Sequence, residues 1–250
     1  MGVAVQVEFL KLRRSLVGVI TTGSLLLGTL ALLAGIALGI AQGQSALIAK
    51  LGPAARLDWS GLLGGATQIV SVAAFLGFGV MLAWIFGREF ADGTITGLFA
   101  LPISRTRIAL AKLIVFGLWA VLVGLLLSVG VLCLGLAFGY GPPTSGAWVG
   151  LLRLWALAVL TGAAAVPVAW VATLTGSLLA AVGCTIGLVV VAQVSALTGV
   201  GGWIPVSAPT LWAMSSGTVV SAVQLVLLAV FAFVFVVLAA VSWARMQLNR

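Results

Sequence analysis

Six long apolar runs, separated by short breaks that carry charge, glycine or proline, organise this 250-residue chain. They cover about 15–41, 62–86, 108–138, 151–174, 178–197 and 219–243. A bilayer core of about 30 Å is crossed by about 20 apolar residues in a helix. The pattern therefore predicts an all-α, polytopic membrane protein with six transmembrane helices and a single membrane domain over 1–250. The first 14 residues, MGVAVQVEFLKLRR, set Val3, Val7 and Leu10 on one side and put Gln6, Lys11, Arg13 and Arg14 largely elsewhere. That spacing predicts an amphipathic helix in the membrane interface. The apolar run after it is much longer than the roughly 7–15 residues of a signal-peptide core, so it is expected to stay as the first span.

Charge sharpens the picture. Only 6% of the residues are charged and 63% are hydrophobic, whereas soluble domains carry about 25% charge. Nine of the basic residues, Lys11, Arg13, Arg14, Arg88, Arg105, Arg107, Lys112, Arg245 and Arg250, fall on one side of the expected topology; Lys50, Arg56 and Arg153 fall on the other. The positive-inside rule then places both termini in the cytoplasm. Tyr140, Trp148, Trp203 and Trp212 are expected at the outer interface, with Trp84 and Trp243 at the inner one, as an aromatic belt with no further role. The net charge of +8 reads as attraction to anionic lipid, and no basic run interleaved with aromatics suggests nucleic acid.

Chemistry inside the bilayer has few carriers. With no histidine, the usual general base and the commonest metal ligand are missing, and Cys133 and Cys184 read as packing residues, so no metal site and no catalytic residues are expected. None of the three lysines follows a GxxxxGK[ST] pattern, so the chain is not expected to hydrolyse ATP itself or to bind a cofactor. The four acids, Glu8, Asp58, Glu89 and Asp92, fall in loops or at span ends, and Arg153 is expected in the first turn of the fourth helix, snorkelling to the outer interface. A transport path would then offer only neutral polar contacts, Thr67, Gln68 and Ser71 in the second span and Gln193 and Ser195 in the fifth, with no counter-ion for a charged cargo.

The stretch 87–107 is the most charge-dense part of the chain. Arg88, Glu89 and Asp92 close the second span where they could reach water or a partner, and Gly93-Thr94 permits a turn. Pro102 suits the start of a short helix, and Ser104 can cap Arg105 to Lys112. The order Gly87-Arg88-Glu89-Phe90, Gly93-Thr94, Leu101-Pro102-Ile103-Ser104-Arg105 and Lys112 resembles the inner-loop signature of the ABC type-2 permease family, the membrane subunits of bacterial ATP-driven exporters. Glu8 to Arg14 is similar to that family's amphipathic connecting helix, and 198–218 to its outer re-entrant link.

The resemblance implies a permease in the bacterial plasma membrane that pairs with a second copy, identical or paralogous, and with two separate ABC ATPase subunits holding ATP and Mg. It implies that Pro102, Ile103, Ser104, Arg105 and Arg107 form a coupling helix in a cleft of the ATPase. Arg88, Glu89, Gly93 and Thr94 would fix that loop, and Glu8 and Arg13 would touch the ATPase. The implied activity is outward movement of an apolar or amphipathic compound, such as a drug, a peptide antibiotic or a lipid-linked molecule. A secondary carrier or channel, and a non-transporting anchor subunit, are the alternative readings.

Overall fold

A computed structural model describes residues 2–52, 55–99 and 103–246, with the side chains of Leu98 and Phe99 excepted. Among them, six helices are long and apolar enough to cross a membrane: α2 (Leu16–Ala41), α4 (Trp59–Ala91), α6 (Arg105–Ala137), α7 (Ser145–Thr175), α8 (Leu178–Ala196) and α10 (Ala222–Arg245). The protein is an all-α, multi-pass membrane protein. Four shorter helices complete it: α1 (Gly2–Arg13), α3 (Ser45–Leu51), α5 (Ile95–Phe99) and α9 (Ala208–Met214). The helix α1, the α4–α6 connection and the end of α10 share one face, called the terminal face below; α3, α9 and the α6–α7 turn lie at the opposite face.

Local chemistry sets the helix ends. Ser15 accepts from the Gly18 N–H at 2.8 Å and starts α2. Asp58 caps α4, accepting from the Gly61 N–H at 2.9 Å and from the Ser60 hydroxyl at 2.7 Å. The hydrogen bonds from Ser60 and Gly61, followed by the Arg56 charge, hold the Asp58 carboxyl down at about 2. In α7 the backbone shifts at Ala165-Val166 and resumes at Pro167, whose missing N–H is harmless at a first helical position. The break between α7 and α8 shrinks to Gly176, with φ 59, and Ser177, which accepts from the Ala180 N–H at 3.3 Å. Thr173, near the end of α7, is buried.

The helix α4 is the central element, packed by α2, α6, α7, α8 and α9. Its buried Phe78 meets Trp119 and Phe116 of α6 edge-on at 5.4 and 6.1 Å between ring centroids. Opposite that cluster Gly79 faces α8 so closely that a Cβ there would sit 2.1 Å from Thr185 Cγ2. By contrast, α10 leaves Val223, Val226 and Phe233 exposed, as a helix facing lipid does.

Three sequence expectations change. The fourth span starts at Ser145, so Arg153 lies two turns inside α7 and not in its first turn. The short helix after the second span is Ile95–Phe99, ahead of Pro102, which lies outside the described residues. Ser104 occupies the N-cap position of α6 in extended geometry, but its side chain makes no capping bond.

The α4–α8 contact gives a direct test. Gly79→Ala gains about 1 kcal/mol of helix propensity but overpacks the crossing, at about 1–3 kcal/mol for such changes. We expect a lower melting temperature in detergent, partly restored by adding Thr185→Ala.

Candidate coupling site and transport groove

The charged residues of the terminal face converge on one buried lysine. Lys112, one turn beyond Ile108 on α6, is fully excluded from solvent. Its ammonium donates to Glu89 Oε1 of α4 at 2.6 Å, to Glu8 Oε2 of α1 at 3.1 Å and to the Ile85 carbonyl at 2.8 Å. Lys11 reaches the same carboxylates, at 2.6 Å to Glu8 Oε1 and 3.1 Å to Glu89 Oε1. Two lysines and two glutamates thus neutralise each other, and each ammonium spans both acids. The Trp243 ring of α10 lies 5.7 Å from the Lys112 Nζ. The Trp243 indole donates to Thr173 Oγ1 of α7 at 3.1 Å, which itself donates to the Ala169 carbonyl at 2.7 Å. One connected set of side chains therefore ties α1, α4, α6, α7 and α10.

This arrangement corrects two expectations. Glu89 is buried among helices and does not reach water, because the two lysines offer it more than solvent would. Trp243 is fully buried against Phe86 and Phe90 and is no interfacial belt residue. The amphipathic α1 keeps most of its apolar residues off the bundle, as a helix lying in the interface does. It meets the bundle through Glu8 and Leu12, leaving Val3, Val7 and Leu10 exposed.

Around this knot the remaining charges stay accessible. Arg88 stacks 4.7 Å from the Trp84 ring centroid and lies 3.8 Å from Asp92, beside an open cleft of about 810 Å³ between α1 and the end of α4. Gly93 takes φ 66 at the end of α4, followed by exposed Thr94. Arg13 and Arg107 are exposed, Ile103 and Arg105 are half-buried, and the Arg105 guanidinium donates to the Met246 carbonyl. Sequence reading passed over Lys112 as a loop-end charge. The signal was present: a single lysine seven residues into an apolar helix, in a chain with only four acids, needs a buried partner.

The expected path residues divide. Gln68, Ser71 and Gln193 line one groove of about 860 Å³ between α4, α8 and α9. Its two glutamine side chains are exposed to it, while the Ser71 hydroxyl donates back to the Gln68 carbonyl at 2.7 Å. Thr67 instead lines a second cavity near the opposite face and donates to the Leu63 carbonyl at 2.8 Å. Ser195 is buried, donating to the Val191 carbonyl at 2.6 Å, and lines neither.

Comparison with known proteins agrees with this layout. The family model described as ABC-2 family transporter protein matches residues 4–192, from α1 through most of α8, and the chain belongs to that family. It is a transport chain of the ABC-2 class, with the ion-pair knot and the Gln68 side of the groove inside the matched region. No curated protein matches the chain.

The knot makes two measurable claims. Lys112→Met leaves two buried carboxylates with one cation, and breaking buried pairs in this way costs about 3–5 kcal/mol. A matched Lys112→Met, Glu89→Gln pair should melt well above the single variant in detergent. Burial alone would lower the pKa of Lys11, but the hydrogen bond and charge of Glu8, joined by Glu89, outweigh it and raise the ammonium above 10.5. Its contribution is complete below pH 10.5 and disappears as pH rises through the raised value. The melting difference between wild type and Lys11→Met should therefore stay constant up to that pH and narrow beyond it.

Proposed function

We propose that this chain is the permease subunit of an ABC exporter, driven by ATP that separate ATPase subunits hydrolyse with Mg, and paired with a second permease copy. The terminal face is then cytoplasmic, in the plasma membrane of a bacterium. The ATPase docks on the surface made by α1, the end of α4 and the connection through α5 to Arg107. The cargo is an apolar or amphipathic compound moving outward along the Gln68–Gln193 groove.

The observation that carries this reading is the buried knot. A force applied to α1 or to the α4–α6 connection meets side chains that are locked to four spans at once, so the bundle must respond as a body. Such a linkage suits two-state transport, in which nucleotide binding favours one packing of the spans over another. Arg13, Arg107 and Asp92 are exposed charges on that surface beside the half-buried Arg88, and Ile103, Ser104 and Pro102 lie in the same connection. Glu8 and Glu89 act behind it, transmitting the motion without touching the ATPase.

Reversing the accessible charges separates docking from folding. With the partner ATPase co-expressed, the double variant Asp92→Arg, Arg107→Glu should lose ATPase co-purification and ATP-driven efflux by roughly tenfold, the effect of interfacial charge pairs of about 1.5 kcal/mol. Its melting temperature should stay at the wild-type value. Unchanged efflux together with unchanged ATPase recovery would defeat the proposal.

A further inference from the structure

The second cavity holds a cation, Arg153, that no acid among the described residues pairs with. It measures about 430 Å³ near the opposite face, and its polar lining includes Arg153, Tyr140, Gln68, Thr67 and Ser216, with Arg56 and Ser60 on the side where both bind Asp58. Arg153, two turns inside α7, donates to the neutral Ser216 hydroxyl at 3.1 Å. The four acids of the chain are all committed elsewhere. Glu8 and Glu89 belong to the knot at the other end of the bundle, and Asp92 lies beside Arg88 at that same end. Asp58, the one acid on this side, is held by Arg56 at 2.6 Å, by Ser60 and by its own helix N-terminus. Arg153 is half-buried, and an ionisable side chain that faces a cavity from within a span is a candidate for ligand contact.

The cavity adjoins the transport groove: Gln68, Ile69 and Met214 line both. The combined site runs from an apolar groove edged by two amides to a chamber with two guanidiniums, of which Arg56 is paired to Asp58 and Arg153 reaches only the Ser216 hydroxyl, and several hydroxyl and amide donors. A guanidinium fork matches the paired oxygens of a carboxylate or phosphate. We propose that the Arg153 chamber takes the oxyanion head group of an amphipathic cargo whose apolar tail occupies the Gln68–Gln193 groove. The proposal rests on the permease reading above and gives its cargo a chemical class, the amphipathic monoanion.

Binding is tested on the full chain in nanodiscs, without the ATPase, using fluorescence of 11-(dansylamino)undecanoate and of its methyl ester. Wild type should bind the acid roughly tenfold more tightly than the ester, as a charge-assisted pair of about 1.4 kcal/mol requires. Arg153→Gln should abolish that preference, with a wild-type elution profile and melting temperature as the folding control, while Arg153→Lys should keep part of it. Absent binding, equal binding of acid and ester by wild type, or a preference that survives Arg153→Gln, overturns the site. Vesicles carrying the complex with its ATPase then separate cargo from a resident lipid. Faster ATP-driven movement of the acid, lost in Arg153→Gln, supports cargo; movement of the ester alone overturns it. Movement of neither probe, with binding intact, overturns the permease reading for these amphiphiles and with it the cargo assignment, leaving the anion site itself standing.

Discussion

The burial of Lys112 is the constraint on which the terminal face depends. An ammonium with no exposed surface must be met by opposite charge, since the effective desolvation penalty in proteins is several kcal/mol per ion. The chain has only two acids within reach, one on α4 and one on α1, so satisfying the lysine draws both helices onto α6. Lys11 then balances the second carboxylate, and α1 is turned with Glu8 inward and its apolar residues outward. Trp243 covers the same cation and carries the linkage to α7 through Thr173. Electrostatics at one point thus decides how five helices meet.

The opposite end of the bundle is built on another principle. There the helices α4, α7, α8 and α9 leave space, and the walls are mostly apolar with a few neutral polar side chains; of the two arginines that line them, Arg56 pairs with Asp58 and Arg153 reaches the Ser216 hydroxyl. A tight, self-neutralised end and an open end suit a transport chain of the ABC-2 family, and the function proposed above assigns coupling to the first and cargo to the second. The close α4–α8 crossing at Gly79 and Thr185 lies between the two cavity-lining helices and is a natural place for their relative position to be set.

Much of the fold was legible because hydropathy acts locally. Runs such as 62–86 and 108–138 must be helical in lipid whatever their neighbours do, and the structure extends them to Trp59–Ala91 and Arg105–Ala137. The ends were less legible. Residues 87–91 read as loop because they carry charge, yet they continue α4 since Glu89 finds its partners only on a helix facing α6 and α1. The start of α7 was read six residues late because Gly146, Trp148 and Gly150 dilute the apolar signal, and that shift hid the depth of Arg153.

By itself, the sequence determined the membrane class, the number of crossings, the resemblance to ABC-2 permeases and the concentration of charge beside the second and third spans. These follow from composition and from interactions a few residues apart. Only the tertiary structure decided that Glu8 and Glu89 serve one lysine, that Trp243 is a buried brace, that Gln68 and Gln193 share a groove, and that Arg153 opens into a chamber next to it. Those relations join residues tens to more than a hundred positions apart. A charge in a sequence shows that desolvation must be compensated, but its partner is chosen by which helices pack together.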